Sequence, residues 1–371
     1  MTVRADRILL VLPSLERGGG ERVMLQLAGL FVAAGREVHV VVLLGGGPLR
    51  LLVPDAVTLH ELIDTDDALK GFALARKALP RLVSLLRTLR PNAVLSTMTG
   101  TNLLVILAGA RAHIRMRLVL REASSLANTK SVLKRQAMRW LYGRADGLVA
   151  VSAGVAQDLR GLGLADDRIH VVHNPVDQER LRHLARIGPT LQEIESTPYV
   201  IALGRLTEAK DYPFLLRAYA ASRLLHSHRL VIVGEGEQRD MLESLVRKLG
   251  LADRVLLLGA LDNPFRVLAG AALLVLSSCW EGYPNVLLEA LALGVPVVAT
   301  DCTHGPREIL DGGRYGRLVP VGDAAALSLA MDGEMKQPSS GFGAILAAHD
   351  PRATASSYLA LLDGAGMDGR D

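Results

Sequence analysis

Two cysteines in 371 residues, Cys279 and Cys302, rule out a disulfide framework and a cysteine-based metal knuckle. They are expected to be buried structural thiols. Aromatic residues make up only 4% of the chain and no nucleic-acid module is recognisable, which argues against nucleic acid as a partner. No run reaches the roughly eighteen strongly apolar residues of a membrane-crossing helix. The nearest candidate, residues 93–110, carries Ser96, Thr97, Thr99, Thr101 and Asn102 and reads as strand, polar loop and helix. A secretory leader is not expected either, because Arg4 and Arg7 run straight into a short strand and a glycine loop. These absences predict a cytoplasmic protein.

Acidic residues are scarce in one place. Between residues 69 and 144 there are 15 Lys and Arg and a single acid, Glu122. Residues 1–189 hold 26 basic and 16 acidic side chains, whereas the remainder holds 16 and 22, so a net charge of +4 conceals +10 against −6. Such an excess in the first half implies an anionic partner.

Half of all residues are hydrophobic, and the length exceeds a single ordinary core. Strand-like runs alternate with helical ones: Ile8 to Leu12, Val38 to Leu44, Ala93 to Leu95, Leu118 to Leu120 and Gly147 to Val151. A second series follows at Tyr199 to Leu203, Leu230 to Val233, Val255 to Leu258, Ala272 to Leu276 and Val297 to Ala299. The pattern predicts an α/β protein of two Rossmann-like, doubly wound parallel-sheet domains facing a cleft. Residues 1–175 would form the first, 176–340 the second, and 341–371 a helical tail. Ligands of such sheets bind beyond the carboxyl ends of the strands.

Glu281-Gly282-Tyr283-Pro284-Asn285-Val286-Leu287-Leu288-Glu289 lies directly after the apolar strand 272–276. Gly282, Pro284 and Asn285 break the strand, and a helix is predicted from Val286 to Leu293. Free amides at a helix start favour an anion, and the two carboxylates would accept hydrogen bonds from ligand hydroxyls. Glu289 is set among Leu287, Leu288, Ala290 and Leu291, where a carboxylate needs a partner. Arg205 and Lys210 follow the first strand of the second series. Fixed cations there suit a diphosphate, above all one that is leaving. Gly204 stands directly before Arg205, and Gly234-Glu235-Gly236 follows another strand.

Glu281-x7-Glu289 with Leu293-Gly294-Val295-Pro296-Val297, Gly18-Gly19-Gly20-Glu21, Gly204-Arg205-Leu206 with Lys210, Gly234-Glu235-Gly236 and Gly305-Pro306-Arg307-Glu308 together resemble the family-4 glycosyltransferases, retaining enzymes of the GT-B fold. The resemblance covers most of the chain. It implies that Arg205 and Lys210 hold the diphosphate, that Glu281 contacts the donor sugar and Glu289 the ribose. It also implies that Gly18, Gly19, Gly20, Gly204, Gly234, Gly236, Asn285, Val286 and Leu287 line the nucleotide-sugar site, and that the tail packs back on the first domain. Many family members place a histidine after the fourth or fifth strand of the first domain; here Arg121-Glu122 stands there instead.

Other features have more than one reading. Arg121 and Glu122 are taken as contacts to the acceptor or the reacting sugar, with a surface ion pair as the alternative. The loop Gly18–Gly20 would let amides approach a phosphate, or is a plain tight turn; Gly45-Gly46-Gly47 reads as a flexible loop. Lys130, Lys134, Arg135 and Arg139 share a helix with the stripe Leu133, Ala137, Trp140 and Leu141, which is expected in the core. The basic rows, with Lys130 and Lys134 as acceptor contacts, suit an anionic membrane surface or a lipid diphosphate. Asp64-Thr65-Asp66-Asp67 contains a D-x-D, read as a helix cap, so neither a metal nor a cofactor is expected.

The sequence therefore predicts a metal-independent, retaining transferase that moves a sugar from a nucleotide sugar, UDP being the expected nucleotide. Its acceptor would be an anionic lipid-linked glycan or polysaccharide, at the inner face of the plasma membrane. A sugar-nucleotide epimerase of the same architecture and a non-catalytic lipid-binding subunit are the competing readings.

Overall fold

The computed structural model describes residues 6–64, 69, 71–126, 132–188, 194 and 197–364. The chain divides into two compact units. One runs up to Pro175 and takes in the last helix, Pro351–Asp363; the other is Val176–Asp350.

The first unit is built on a seven-stranded sheet of order β3-β2-β1-β4-β5-β6-β7. Its strands are β1 Arg7–Leu12, β2 Glu37–Val42, β3 Thr58–Glu61, β4 Ala93–Thr97, β5 Arg117–Glu122, β6 Gly147–Ala150 and β7 Ile169–Val171. All pair in parallel. Ile8, Leu10 and Leu12 pack under Met24, Leu27 and Phe31 of the helix Gly19–Ala33, together with Tyr358, Leu361 and Leu362 of the last helix. Arg36 ties that last helix down through Asp363 at 2.6 Å, and Arg117 through the carbonyl of Leu361.

The second unit holds a six-stranded parallel sheet of order β10-β9-β8-β11-β12-β13. Its strands are β8 Tyr199–Leu203, β9 Arg229–Val233, β10 Val255–Gly259, β11 Leu273–Leu276, β12 Val297–Thr300 and β13 Arg317–Val319. Val200, Leu230, Leu273 and Val298 meet Phe214, Leu215 and Tyr219 of the helix Tyr212–Ala221, and Leu327 and Met331 of the helix Ala324–Lys336.

The edge strands β3, β7 and β13 escape the sequence reading. They are three or four residues long and carry too little of a period to stand out from loops. The tail is not one helical stretch: Gly343–Ala347 and Pro351–Asp363 are separate helices. Pro351 has no N–H to continue the first and turns Asp350 away from helical geometry. The break falls where the chain passes from the second unit to the first, so the second unit ends at Asp350 rather than 340.

The glycine run 45–47 is not flexible in character. Gly45 donates to the Ile63 carbonyl at 2.7 Å and Gly46 to Glu61 at 2.8 Å. At Gly47, with φ +93°, a Cβ would lie 2.5 Å from the Leu15 carbonyl. Among the described residues no helix is long and apolar enough to cross a membrane.

Burial holds the imidazoles of His60, His170 and His228 below their ordinary 6.5, with His39 beside His60 and Arg117 beside His170 adding to the effect. The folded state therefore binds fewer protons than the unfolded chain just below 6.5, and stability drains as the pH falls through that value. Glu37, held low by Arg7, and Glu61, held low by the Gly46 amide, remain ionised in this window. The thermal midpoint is expected to fall when the pH drops from about 7.5 to about 5.5. Scanning calorimetry at the two values checks this, and a midpoint that rose on acidification would contradict it.

Candidate active site

In the second unit, the connections from β8 run outward to β9 and β10, while β11, β12 and β13 continue in the other direction. The loops after β8 and β11 therefore diverge and leave a crevice at the carboxyl ends of the strands. After β8 come Gly204, Arg205 and Leu206, then the turn Glu208–Lys210. Asp211 follows at φ 42°, a left-handed conformation that Asp tolerates better than most residues. Its carboxylate caps the next helix by accepting from the Phe214 amide at 3.2 Å. After β11 come residues 277–284 and then the helix Asn285–Ala292.

The two loops are stitched together. The Ser277 hydroxyl donates to the Lys210 carbonyl at 2.7 Å and the Cys279 amide to the Ala209 carbonyl at 2.8 Å. Lys210 Nζ and Glu281 Oε1 meet at 2.6 Å, with 20% and 14% of their side chains exposed. Ser278 Oγ donates to the same oxygen at 2.6 Å. The loop after β12 joins in: Thr300 Oγ1 donates to the Ser278 carbonyl at 2.6 Å, and the Glu281 amide to the Thr303 carbonyl at 3.1 Å. A Cβ on Gly305, at φ +89°, would lie 2.5 Å from Pro284 Cδ.

The site joins a half-buried ion pair to an exposed cation. Arg205 points to solvent and has no ion-pair partner among the described residues. Tyr212 donates to the Gly204 carbonyl at 2.9 Å. Burial, and then Glu281, push its phenol well above its ordinary range, so it stays a neutral donor. Burial likewise raises Cys279 to about 11, and burial followed by Glu281 raises Cys302 to about 12. Both are free thiols, protonated at neutral pH and unsuited to attack. Asn285 opens its helix and Glu289 lies one turn in, both half-buried. Pro284, at the N-cap, supplies no side-chain cap of its own. The side chains of Val286 and Leu287 are buried, so these two residues can reach a ligand only through their amides.

Gly234 and Gly236 are glycines for a reason internal to the protein. A Cβ on Gly234 would lie 1.9 Å from the Gly204 carbonyl oxygen, and one on Gly236 2.3 Å from that of Leu206. The 204–206 backbone is laid directly on this turn, with Gly204 donating to Val233 at 3.0 Å and Leu206 to Glu235 at 2.8 Å. The pair thus sets the height of the loop that carries Arg205. A Cβ on Gly204 would meet Lys210 Cε at 3.0 Å, so the lysine stem crosses that glycine.

The first unit has its own switch point between β1 and β4. Gly18 caps the helix Gly19–Ala33, and a Cβ there would lie 1.9 Å from Glu21 Oε2. The protein's own carboxylate thus covers the helix start that the sequence reading offered to a phosphate. A Cβ on Gly20 would face Met98 at 3.7 Å and Arg121 at 3.9 Å, which places Arg121 beneath the glycine turn.

Arg121 and Glu122 are neither a surface ion pair nor acceptor-facing side chains, being 0% and 1% exposed. As neighbours on a strand they point to opposite faces of the sheet. Arg121 donates to Thr97 at 2.9 Å and Asn174 at 2.6 Å. Glu122 accepts from Tyr142 at 2.8 Å and Thr99 at 3.1 Å. A charge so deep needs these bonds, and their effect is to fix the ends of β4 and β5. Lys130, the Lys134 side chain and residues 65–67 of the D-x-D lie outside the described residues. The stripe on the helix Val132–Tyr142 is core only in part, Leu141 being buried and Ala137 half-buried. Leu133 is 79% and Trp140 65% exposed, whereas Met138, Leu141 and Tyr142 face inward.

Ser278 is the site residue that sequence reading missed. Its only signal was the hydroxyl pair Ser277-Ser278 at the end of an apolar strand.

A model described as glycosyl transferases group 1 matches residues 197–335, and one described as glycosyltransferase family 4 matches residues 17–180. The chain is a glycosyltransferase with a family 4 domain in its first half and a group 1 domain in its second. It is 28% identical over 83% of its length, and 84% of the relative's, to N-acetylgalactosamine-N,N'-diacetylbacillosaminyl-diphospho-undecaprenol 4-alpha-N-acetylgalactosaminyltransferase of Campylobacter jejuni. It is 33% identical over 50% of its length, and 53% of the relative's, to the lipopolysaccharide core biosynthesis glycosyltransferase LpsE of Rhizobium meliloti. The structure of Anabaena HepE in complex with UDP-glucose superposes with a TM-score of 0.74 at 19% identity, covering 96% of this chain and 97% of that one. The fold is that of the GT-B glycosyltransferases.

In this glycosyltransferase, Gly234→Ala is expected to cost about 3 kcal/mol or more, because a backbone carbonyl must move. Gly100→Ala, in a helix with open space around the added methyl, should stay within about 1 kcal/mol and tend to stabilise. Urea unfolding of both variants tests the claim. Equal stabilities would refute the packing role given to Gly234.

Proposed function

We propose that this glycosyltransferase is a retaining, metal-independent enzyme that transfers a hexosyl or N-acetylhexosaminyl group from a UDP-sugar. Its acceptor is a lipid-linked glycan or polysaccharide in bacterial envelope or surface glycan assembly. The observation that carries this reading is the Lys210–Glu281 pair beside exposed Arg205 at the carboxyl ends of β8 and β11. The relatives add support: the Campylobacter enzyme acts on a diphospho-undecaprenol glycan, and the Anabaena structure holds UDP-glucose.

The chemistry follows from what the site offers. Arg205 and Lys210 hold the diphosphate and stabilise the charge that collects on its oxygens as the bond to the anomeric carbon breaks. The acceptor hydroxyl forms the new bond on the face the diphosphate leaves. Its proton passes to the departing phosphate oxygen, so no enzymic base or covalent intermediate is required. Glu281 accepts hydrogen bonds from the sugar hydroxyls, and Glu289 from the ribose. The amides at the start of the helix Asn285–Ala292 face the phosphates. Neither a metal nor a cofactor takes part.

The helix Val132–Tyr142 supplies the membrane side of the reading. Leu133, Trp140 and Val132 stand out to solvent, and Arg144 stacks 3.8 Å over the Trp140 ring. No acid occurs between Glu122 and Asp146. A helix face that is both apolar and cationic suits the headgroup region of an anionic bilayer at the inner face of the plasma membrane.

A panel of UDP- and GDP-sugars, offered with a polyprenyl-diphosphate glycan with and without EDTA, tests the transfer. Activity is expected with a UDP-sugar and unchanged by EDTA, and Glu281→Gln should lower turnover by at least ~100-fold. Full turnover in that variant, or its loss with EDTA, would overturn the corresponding part of the reading. For the membrane, the double variant Leu133→Ser, Trp140→Ser should bind phosphatidylglycerol vesicles at least tenfold more weakly in co-sedimentation, roughly the loss of two interfacial apolar anchors. Unaltered binding would remove this helix from the membrane reading.

A further inference from the structure

Glu281 Oε1 is held twice, by Lys210 Nζ and by Ser278 Oγ, each at 2.6 Å, while Oε2 accepts no hydrogen bond among the described residues. Lys210 is the movable partner of the two. Its stem lies across Gly204, beside the loop of Arg205, and its ammonium carries a charge that a bound diphosphate attracts. Ser278 is the fixed partner. It is fully buried, its carbonyl is held by Thr300 at 2.6 Å, and a hydroxyl in that position loses a full hydrogen bond if Glu281 turns away.

We propose that Ser278 is a positioning residue that keeps the Glu281 carboxylate oriented, Oε2 outward, when Lys210 is drawn from it to the donor diphosphate. The inference rests on the donor-site reading above and adds what that reading lacks. A single lysine serves both the sugar-binding carboxylate, which it meets at 2.6 Å, and the phosphates of a bound donor. The exchange is tolerable because the Ser278 hydroxyl bond to Glu281 is unaffected by it. Without that hydroxyl, Glu281 either retains Lys210 and weakens the diphosphate contact, or loses its orientation toward the sugar.

The test compares Ser278→Ala with Ser278→Thr, which keeps a hydroxyl, in the full-length protein. UDP affinity is measured by titration calorimetry and turnover with UDP-glucose and UDP-N-acetylgalactosamine. In Ser278→Ala, kcat is expected to fall roughly 10- to 100-fold while UDP affinity stays within about threefold of the parent, and Ser278→Thr should recover most of the turnover. Lys210→Ala should instead lose both, with UDP bound at least ~10-fold more weakly and turnover lowered as well. Parental kcat in Ser278→Ala, or equal impairment of the Ala and Thr variants, would overturn the positioning role. If Ser278→Ala fails to fold, the nearly isosteric Ser278→Cys replaces it and must show the same loss of kcat with retained UDP affinity. A parent protein that binds no UDP sinks the donor-site reading itself, a result separate from any of these.

Discussion

Every strand in both sheets pairs in parallel, and most of what the molecule can do depends on that constraint. Parallel strands carry their carboxyl ends to one edge, so the loops that follow them gather there. Where neighbouring strands send their chains in opposite directions, the loops part. In the second unit this happens between β8 and β11, which bear Lys210 and Glu281; in the first it happens between β1 and β4, which bear the glycine turn and Met98. The positions of the chemistry are thus set by topology before any side chain is chosen.

Charge at these edges is handled in two ways. Arg121 is wholly buried and spends its donors on Thr97 and Asn174, which makes it part of the scaffold. Removing one partner leaves a buried charged donor unsatisfied, at a cost of roughly 1–3 kcal/mol or more. Lys210 and Glu281 are only mostly buried, and both remain within reach of solvent and ligand. Such a pair is stable enough to be ordered and exposed enough to be exchanged. The difference lies in burial and in the number of fixed neutral partners, since both groups stand at the ends of central strands.

The long apolar strands, the two-unit division and the Glu281 to Glu289 element were legible because each is a local pattern of several residues. What was not legible depended on orientation. The stripe through Leu133 and Trp140 has helical spacing, but spacing cannot say whether the face turns inward. Of the stripe only Leu141 is fully buried, beside Met138 and Tyr142, while Leu133 and Trp140 face out. Gly234 was assigned to the nucleotide pocket by the family resemblance, which gave no hint of a packing role. Only the contact with the Gly204 carbonyl shows that another backbone occupies the space. Arg121-Glu122 looked polar enough for a cleft, yet neighbours on a strand must face opposite ways and both found buried partners. Ser278 had no signal beyond its type, since its role is a distance to an oxygen three residues on.

The two halves of the chain deal with anions on different scales. In the second unit, the charge assigned to the donor amounts to Arg205 and Lys210, set within a part of the chain that is net negative. Two cations in a negative surround attract little from afar, so recognition there must come from hydrogen-bond geometry at a few ångströms. In the first unit the excess is broad, with 15 cations and one acid between residues 69 and 144. A field of that kind reaches about a Debye length, roughly 8 Å at physiological salt, and is indifferent to stereochemistry. It can gather a charged lipid surface without telling one glycan from another. On the function proposed above, discrimination among sugars falls to the short-range contacts around Glu281, and salt should weaken the gathering of the acceptor far more than the fit of the donor.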